Sequence, residues 1–210
     1  RLLKAQRLTR GSLEFDAPEP EVELKGGRVV AIRRAARTGA HMLIEDCMLA
    51  ANEAVAEPLA RARQPVLYRI HEAPDPEKLE IFVDAARSLG LQLPSGAPDS
   101  GWVAQALALS ADLPQSYMIS NLLLRSMLQA RYSPENLGHF GLAADTYLHF
   151  TSPIRRYPDL IAHRVLQAWL QREQAAMAAA DLAEAGLHLS RCERRAIELE
   201  RDVLARMAVL

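Results

Sequence analysis

The fold is decided by residues 139–163, which read HFGLAADTYLHFTSPIRRYPDLIAH. Ser152 is a good N-cap, and Pro153 suits the first helical position, where a missing N–H costs nothing. Apolar residues then recur at three- and four-residue steps over residues 154–169, which predicts a helix with one buried face. Because Pro158 would remove one hydrogen bond from a straight helix, we expect a loose first turn that becomes regular after it.

Arg155 lies in the first turn of this predicted helix. Free backbone N–H groups and the positive end of the helix dipole favour an anion there, and a guanidinium adds a planar fork that can bind two phosphate oxygens. Arg155 also precedes Asp159 by four residues, and a surface ion pair at that spacing contributes about 0.2–0.5 kcal/mol. The residues therefore predict either a phosphate site or a surface ion pair. The helix geometry allows Arg155 or Arg156 to face the phosphate.

The composition favours one large domain, or part of one. The chain has 210 residues, half of them hydrophobic, and a formal net charge of −1. It can bury a substantial core, but it lacks the overall basic charge typical of nucleic-acid-binding domains. Contact with RNA would then depend on a local cluster such as Arg155 and Arg156. Cys47 and Cys192 lie in helical patterns without metal-ligand spacing, and we expect buried free thiols.

No run of eighteen apolar residues and no signal peptide occur in the sequence. We therefore expect no membrane span, and we expect a cytoplasmic chain.

Hydrophobic periodicity predicts a mixed α/β fold that is dominated by helices and has a few short strands. Residues 1–37 should hold a helix end and a β-hairpin with glycines at its turn. Residues 38–131 should be largely helical. Residues 132–210 should hold the opening stretch, with short strands at 139–142 and 147–150, followed by the C-terminal helices.

The two longest predicted helices have apolar sides that should be buried. The helix predicted over residues 38–63 would bury Met42, Leu43, Ile44, Cys47, Met48, Ala51, Val55 and Leu59. The helix predicted over residues 181–210 would bury Leu182, Ala185, Leu189, Cys192, Ala196, Leu199, Val203 and Met207.

Polar residues outside the opening stretch supply further candidates. Glu45 and Asn52 are seven residues apart and would share one stripe of a helix, although an exposed helix acid is the simpler interpretation of Glu45. Glu200 lies on a face of mixed charge, which is usually only solvated. His139 precedes a predicted strand, where a histidine is more often a structural hydrogen-bonding group than a general base.

Residues 139–163 resemble the signature of the ribonuclease II and ribonuclease R family, in its RNB catalytic domain. The resemblance covers the HFGL opening, the spacing of Tyr147, the motif TSPIRRY, Asp159 and the closing His163. It extends to the segments 43–52, 67–71, 122–129 and 193–203, and so to nearly the whole chain from about residue 34. The chain is most similar to the C-terminal half of an RNB domain.

This resemblance implies part of a processive 3′→5′ exoribonuclease that hydrolyses single-stranded RNA to 5′-mononucleotides. Arg155 would be catalytic and grip a phosphate next to the scissile bond. The residues expected to contact RNA are Glu45, Asn52, Ser152, Arg156 and Glu200. Glu45 would accept hydrogen bonds from ribose hydroxyls, and Glu200 would lie near the 3′ end.

The resemblance also implies a metal that this chain should not hold by itself. The family uses Mg²⁺ bound by clustered aspartates, and no such cluster occurs in the sequence. The ligands would lie in the rest of the parent protein, which we expect to be monomeric, and this chain alone should be inactive. The alternative is a non-catalytic RNA-binding or regulatory homologue whose parent has lost the aspartates.

Overall fold

The computed structural model describes residues 2–14, 20–174 and 177–208. Their helices are α1 (Leu2–Thr9), α2 (Gly39–Arg61), α3 (Pro76–Ser88), α4 (Ser100–Ser110), α5 (Ser116–Ser126), α6 (Tyr157–Gln171) and α7 (Ala179–Met207). Their strands are β1 (Pro20–Lys25), β2 (Arg28–Arg34), β3 (Tyr68–Ile70) and β4 (Arg131–Ser133). The strands form two antiparallel pairs, β1–β2 and β3–β4. The predicted class, mixed α/β with helices dominant, is confirmed.

The β1–β2 hairpin turns at Gly26 and Gly27, in agreement with the prediction. Both residues have a positive φ, 59° and 77°. A tight hairpin turn of type I′ requires this conformation at both central positions, and glycine adopts it without a steric penalty.

Two buried apolar clusters hold the helices together. One lies between α2, β3, α6 and α7 and includes Leu59, Ile70, Leu148, Ile161 and Leu182. The other lies between α3, α4 and α5 and includes Phe82, Trp102, Val103, Ile119 and Leu123. Leu148 is fully buried in the first cluster, so this cluster fixes the segment that leads into α6.

The segments predicted as strands at 139–142 and 147–150 are not strands. Phe140–Leu142 is a 3₁₀ turn, and residues 147–150 form no ladder. A single backbone bond, from Arg69 N to Tyr147 O at 2.8 Å, joins the second segment to β3. In residues 147–150 the neighbouring Tyr147 and Leu148 are both buried, so the alternation of residue types arises from packing on both sides of the segment and not from strand pairing.

The first half of α2 is turned differently from the prediction. Asp46 is buried and faces α1, where the Arg7 guanidinium donates to Asp46 Oδ1 at 3.2 Å. The side of α2 that was predicted to be buried is therefore not covered by any described residue over this half of the helix. Its exposed members are Leu43, Ile44, Cys47 and Met48.

Helix α7 packs on β4 through small residues. Ser190 Oγ donates to Gly186 O at 2.7 Å and accepts a hydrogen bond from Tyr132 N at 3.0 Å. The buried residues of α7 are Leu182, Gly186 and Ser190, so the predicted buried side does not extend along the whole helix. The predicted members Cys192, Leu199 and Val203 are exposed.

Replacing Gly186 with alanine should destabilise the chain. A Cβ atom there would lie 3.0 Å from Tyr132 O and 3.2 Å from Leu67 Cδ2, so α7 would have to move away from β4. We expect Gly186→Ala to lower the free energy of unfolding by about 1–3 kcal/mol, measured by denaturant titration. Gly39→Ala is the matched control, because nothing lies within 4 Å of its added methyl group and alanine favours the helix. Equal stability of both variants would show that α7 is not closely packed there.

Candidate functional site

Residues 152–156 form a turn that precedes α6. Ser152 O accepts hydrogen bonds from Arg155 N at 3.2 Å and from Arg156 N at 3.0 Å. Helix α6 begins at Tyr157 with Arg156 as its N-cap, so the prediction of Ser152 as the N-cap is wrong, whereas the loose turn expected before the regular helix is confirmed. The proline explains the difference, because Pro158 has no N–H for the Ile154 carbonyl and is tolerated only in the first turn of a helix.

The carboxylate of Asp159 closes this turn. Asp159 is completely buried, and its Oδ1 accepts hydrogen bonds from Ser152 N at 2.7 Å and from Arg156 Nη2 at 2.8 Å. The ion pair predicted between Arg155 and Asp159 is therefore wrong. The later start of α6 brings Arg156 to the carboxylate, at a spacing of three residues.

Arg155 is exposed, and its guanidinium makes no hydrogen bond or ion pair with any residue that the structure describes. The side chain of Arg156 is only 22% exposed, and one of its nitrogens is occupied by Asp159. The two arginines thus differ in availability. The guanidinium of Arg155 can bind an external anion without breaking an internal contact.

Asn52 holds the segment that leads into the turn. It is buried, its Nδ2 donates to Tyr147 Oη at 2.8 Å, and its Oδ1 accepts from Phe150 N at 2.9 Å. On the other side, His163 Nε2 lies 2.9 Å from Phe150 O, and the two rings stack with centroids 3.9 Å apart. Both partners of the Asn52 amide are internal, and its predicted contact with RNA stays a prediction.

A row of rings continues from this segment through the interior. The ring centroids of His71 and His139 are 5.1 Å apart, those of His139 and Tyr147 5.3 Å, and those of Tyr147 and His149 5.9 Å. Tyr132 Oη lies 2.9 Å from His149 Nδ1. Sequence reasoning missed His71, His149 and Tyr132. The alternation of Tyr147 and His149 was a usable signal, because such residues share one side of an extended segment.

Burial keeps these histidines neutral. It lowers the pKa of His139 to about 3, and with the nearby Arg156 and Arg69 cations it lowers the pKa of His149 to about 2. His139 Nδ1 accepts a hydrogen bond from Leu142 N at 3.2 Å. His139 is therefore a structural hydrogen-bonding group, and its low pKa makes it a poor general base at neutral pH.

Glu45 and Glu200 are not joined to the turn by any hydrogen bond or ion pair within the described residues. Glu45 pairs with Arg37 at 2.5 Å in the first half of α2. Glu200 is exposed on α7, beyond the residues through which that helix packs. Their predicted contacts with RNA stay predictions.

Across residues 2–14, 20–174 and 177–208, no three His, Cys, Asp or Glu side chains are grouped so that they could hold a metal ion. No helix in the same ranges is both long enough and apolar enough to cross a membrane.

The model of the RNB domain family matches residues 1–172. The chain belongs to the RNB family. Ribonuclease R of Escherichia coli (strain K12) is 40% identical over 216 residues, an alignment that covers 97% of this chain and 27% of that protein. The RNB chain thus spans about a quarter of the length of that relative.

Solved structures agree with this assignment. The apo form of Mycoplasma genitalium RNase R matches the RNB chain with a TM-score of 0.93 at 29% identity. The match covers 99% of this chain and 34% of that one. The same enzyme in complex with ribose methylated single-stranded RNA matches with a TM-score of 0.91 at 29% identity, over 99% of this chain and 34% of that one.

The neutral histidines predict that acid destabilises this RNB chain. Because the pKa of His149 is lower in the folded than in the unfolded state, the stabilisation is complete above about pH 6.5 and is lost as the pH falls. Below that pH, each buried neutral histidine should lower the free energy of unfolding by about 1.4 kcal/mol per pH unit. We expect His149→Gln to lose less stability than the unsubstituted chain between pH 7 and pH 5, measured by denaturant titration. The exposed His188, changed to glutamine, is the control, and an equal pH dependence for His149→Gln would contradict the assignment.

Proposed function

We propose that this chain is part of a 3′→5′ exoribonuclease that hydrolyses single-stranded RNA to 5′-mononucleotides. Membership of the RNB family and the likeness to ribonuclease R enzymes over nearly the whole chain support this. In the intact protein, Arg155 would bind the phosphate next to the scissile bond.

The availability of Arg155 is the observation that carries the proposal. Its guanidinium is exposed, has no partner among the described residues, and extends from a turn that Asp159 holds at both ends. During hydrolysis, negative charge grows on the phosphate oxygens. A cation whose backbone is already fixed can stabilise this charge without reorganisation, which is the usual source of a large electrostatic contribution to catalysis.

The other predicted contacts take supporting roles in this proposal. The Ser152 hydroxyl makes no hydrogen bond within the described residues, so it can donate to a phosphate oxygen beside Arg155. Arg156 adds positive charge near the same phosphate while it remains paired with Asp159. Asn52 orients the segment 147–150 that leads into the turn.

Glu45 and Glu200 lie outside the turn and would contact other parts of the RNA. A carboxylate can accept hydrogen bonds from ribose 2′-hydroxyls, which is how a protein distinguishes RNA from DNA. Glu45 would do this from α2, and Glu200 would lie near the 3′ end.

The metal expected for the family does not fit the described part of this chain, which offers no group of three ligands. We propose Mg²⁺ bound by aspartates in the rest of the parent protein. The proposal also includes a monomeric parent in the cytoplasm.

Substitution of Arg155 in the intact protein tests the proposal. We expect Arg155→Ala to reduce the single-turnover rate of cleavage of a labelled single-stranded RNA by about 10²–10³-fold, because one fixed donor to the transition state is lost. Arg155→Lys should recover little, since an ammonium cannot reproduce the bidentate fork. Affinity for long RNA should fall much less, because the other phosphate contacts remain.

Arg164→Ala is the matched control, since Arg164 is an exposed arginine further along α6. It should cleave at the unsubstituted rate. Cleavage by Arg155→Ala at the same rate as the control would contradict the assignment of Arg155. Absence of cleavage by the unsubstituted protein, with RNA binding retained, would favour the non-catalytic homologue.

A further inference from the structure

Asp159 links two parts of the chain that the helix alone would not connect. It is the third residue of α6, a position from which an acidic side chain often reaches back to the N-cap residue. Here the carboxylate reaches beyond the N-cap Arg156 to the backbone N–H of Ser152, at 2.7 Å. One side chain thus closes a loop of residues 152–159.

Ser152 is held on both of its backbone groups. Its N–H donates to Asp159, while its carbonyl accepts from the N–H groups of Arg155 and Arg156. The Arg156 side chain then returns to the same Oδ1 atom at 2.8 Å. The turn is therefore fixed at its first residue and at its last, and Asp159 takes part at both ends.

Arg155 depends on this turn for its position. No side chain among the described residues contacts its guanidinium through a hydrogen bond or ion pair. The backbone of the turn is therefore what sets where the Arg155 side chain starts and which way it leaves the protein. Asp159 is completely buried and cannot itself reach a substrate.

We propose that Asp159 is a positioning residue, which holds the turn 152–156 so that Arg155 meets the phosphate of the RNA substrate. This rests on the proposed function of Arg155 and adds the residue that makes Arg155 effective. A displacement of about 1 Å in a catalytic group can cost on the order of 100-fold in rate. Asp159 therefore acts on the chemical step mainly through Arg155.

A double-mutant cycle in the intact protein separates positioning from simple stabilisation. Asp159→Asn keeps an oxygen for the Ser152 N–H but removes the charge that holds Arg156. We expect a single-turnover rate on labelled RNA that is roughly 10- to 100-fold lower, with a much smaller change in the RNA dissociation constant. In the Arg155→Ala background, the same substitution should cause a much smaller loss of rate.

The outcomes distinguish this proposal from the proposed function. The positioning role alone is overturned by either of two results. One is an equal loss of rate from Asp159→Asn in both backgrounds, and the other is no loss from Asp159→Asn although Arg155→Ala is slow. Full activity of Arg155→Ala overturns the function assigned to Arg155, and the positioning role with it.

Asp181→Asn is the matched control, because Asp181 occupies the same third helical position in α7 but is exposed. It should retain the full rate. If Asp159→Asn does not fold, Asp159→Glu carries the same cycle, because it keeps the charge that pairs with Arg156 but moves the carboxylate by one methylene. A rate for Asp159→Glu equal to that of the unsubstituted protein, at a temperature below its thermal transition, would overturn the proposal.

Discussion

The buried contact between the Asp159 carboxylate, the Ser152 N–H and the Arg156 guanidinium is the interaction on which the candidate site depends. A carboxylate without solvent contact requires a compensating charge and hydrogen bonds, and loss of one partner of such a pair costs about 3–5 kcal/mol. The turn, the ion pair and the start of α6 should therefore form together. Because Arg156 supplies the compensating charge, Arg155 remains available to an external anion.

The residues around the turn restrain the segment that precedes it and keep His149 uncharged. Asn52 and His163 hold Phe150 from opposite sides, so the segment before the turn has little freedom. His149, the ionisable ring that is influenced by both arginines of the turn, is kept neutral by burial and by those cations, which lower its pKa to about 2. His149 therefore adds no positive charge beside the turn at neutral pH.

The sequence predicts the hairpin and the helix-dominated class because these depend on local patterns. The phosphate site near Arg155, inferred from one long signature, stays a prediction. The sequence does not predict which arginine pairs with Asp159, because that depends on where α6 begins, and Pro158 is compatible with either a kink or a start. The buried side of α2 could not be predicted from the sequence either, because it depends on the pairing of Asp46 with Arg7, 39 residues away. The row of rings joins segments as distant as His71 and His139, and periodicity within one element carries no signal for such contacts.

The most direct test of this account is the structure of the intact protein bound to a non-cleavable single-stranded RNA. The measured quantity is the distance from each guanidinium of the turn to the nearest phosphate oxygen. The account predicts about 2.7–3.2 Å for Arg155, with Arg156 still hydrogen-bonded to Asp159. A structure in which Arg156 leaves Asp159 to bind the phosphate, while Arg155 points into solvent, would contradict it.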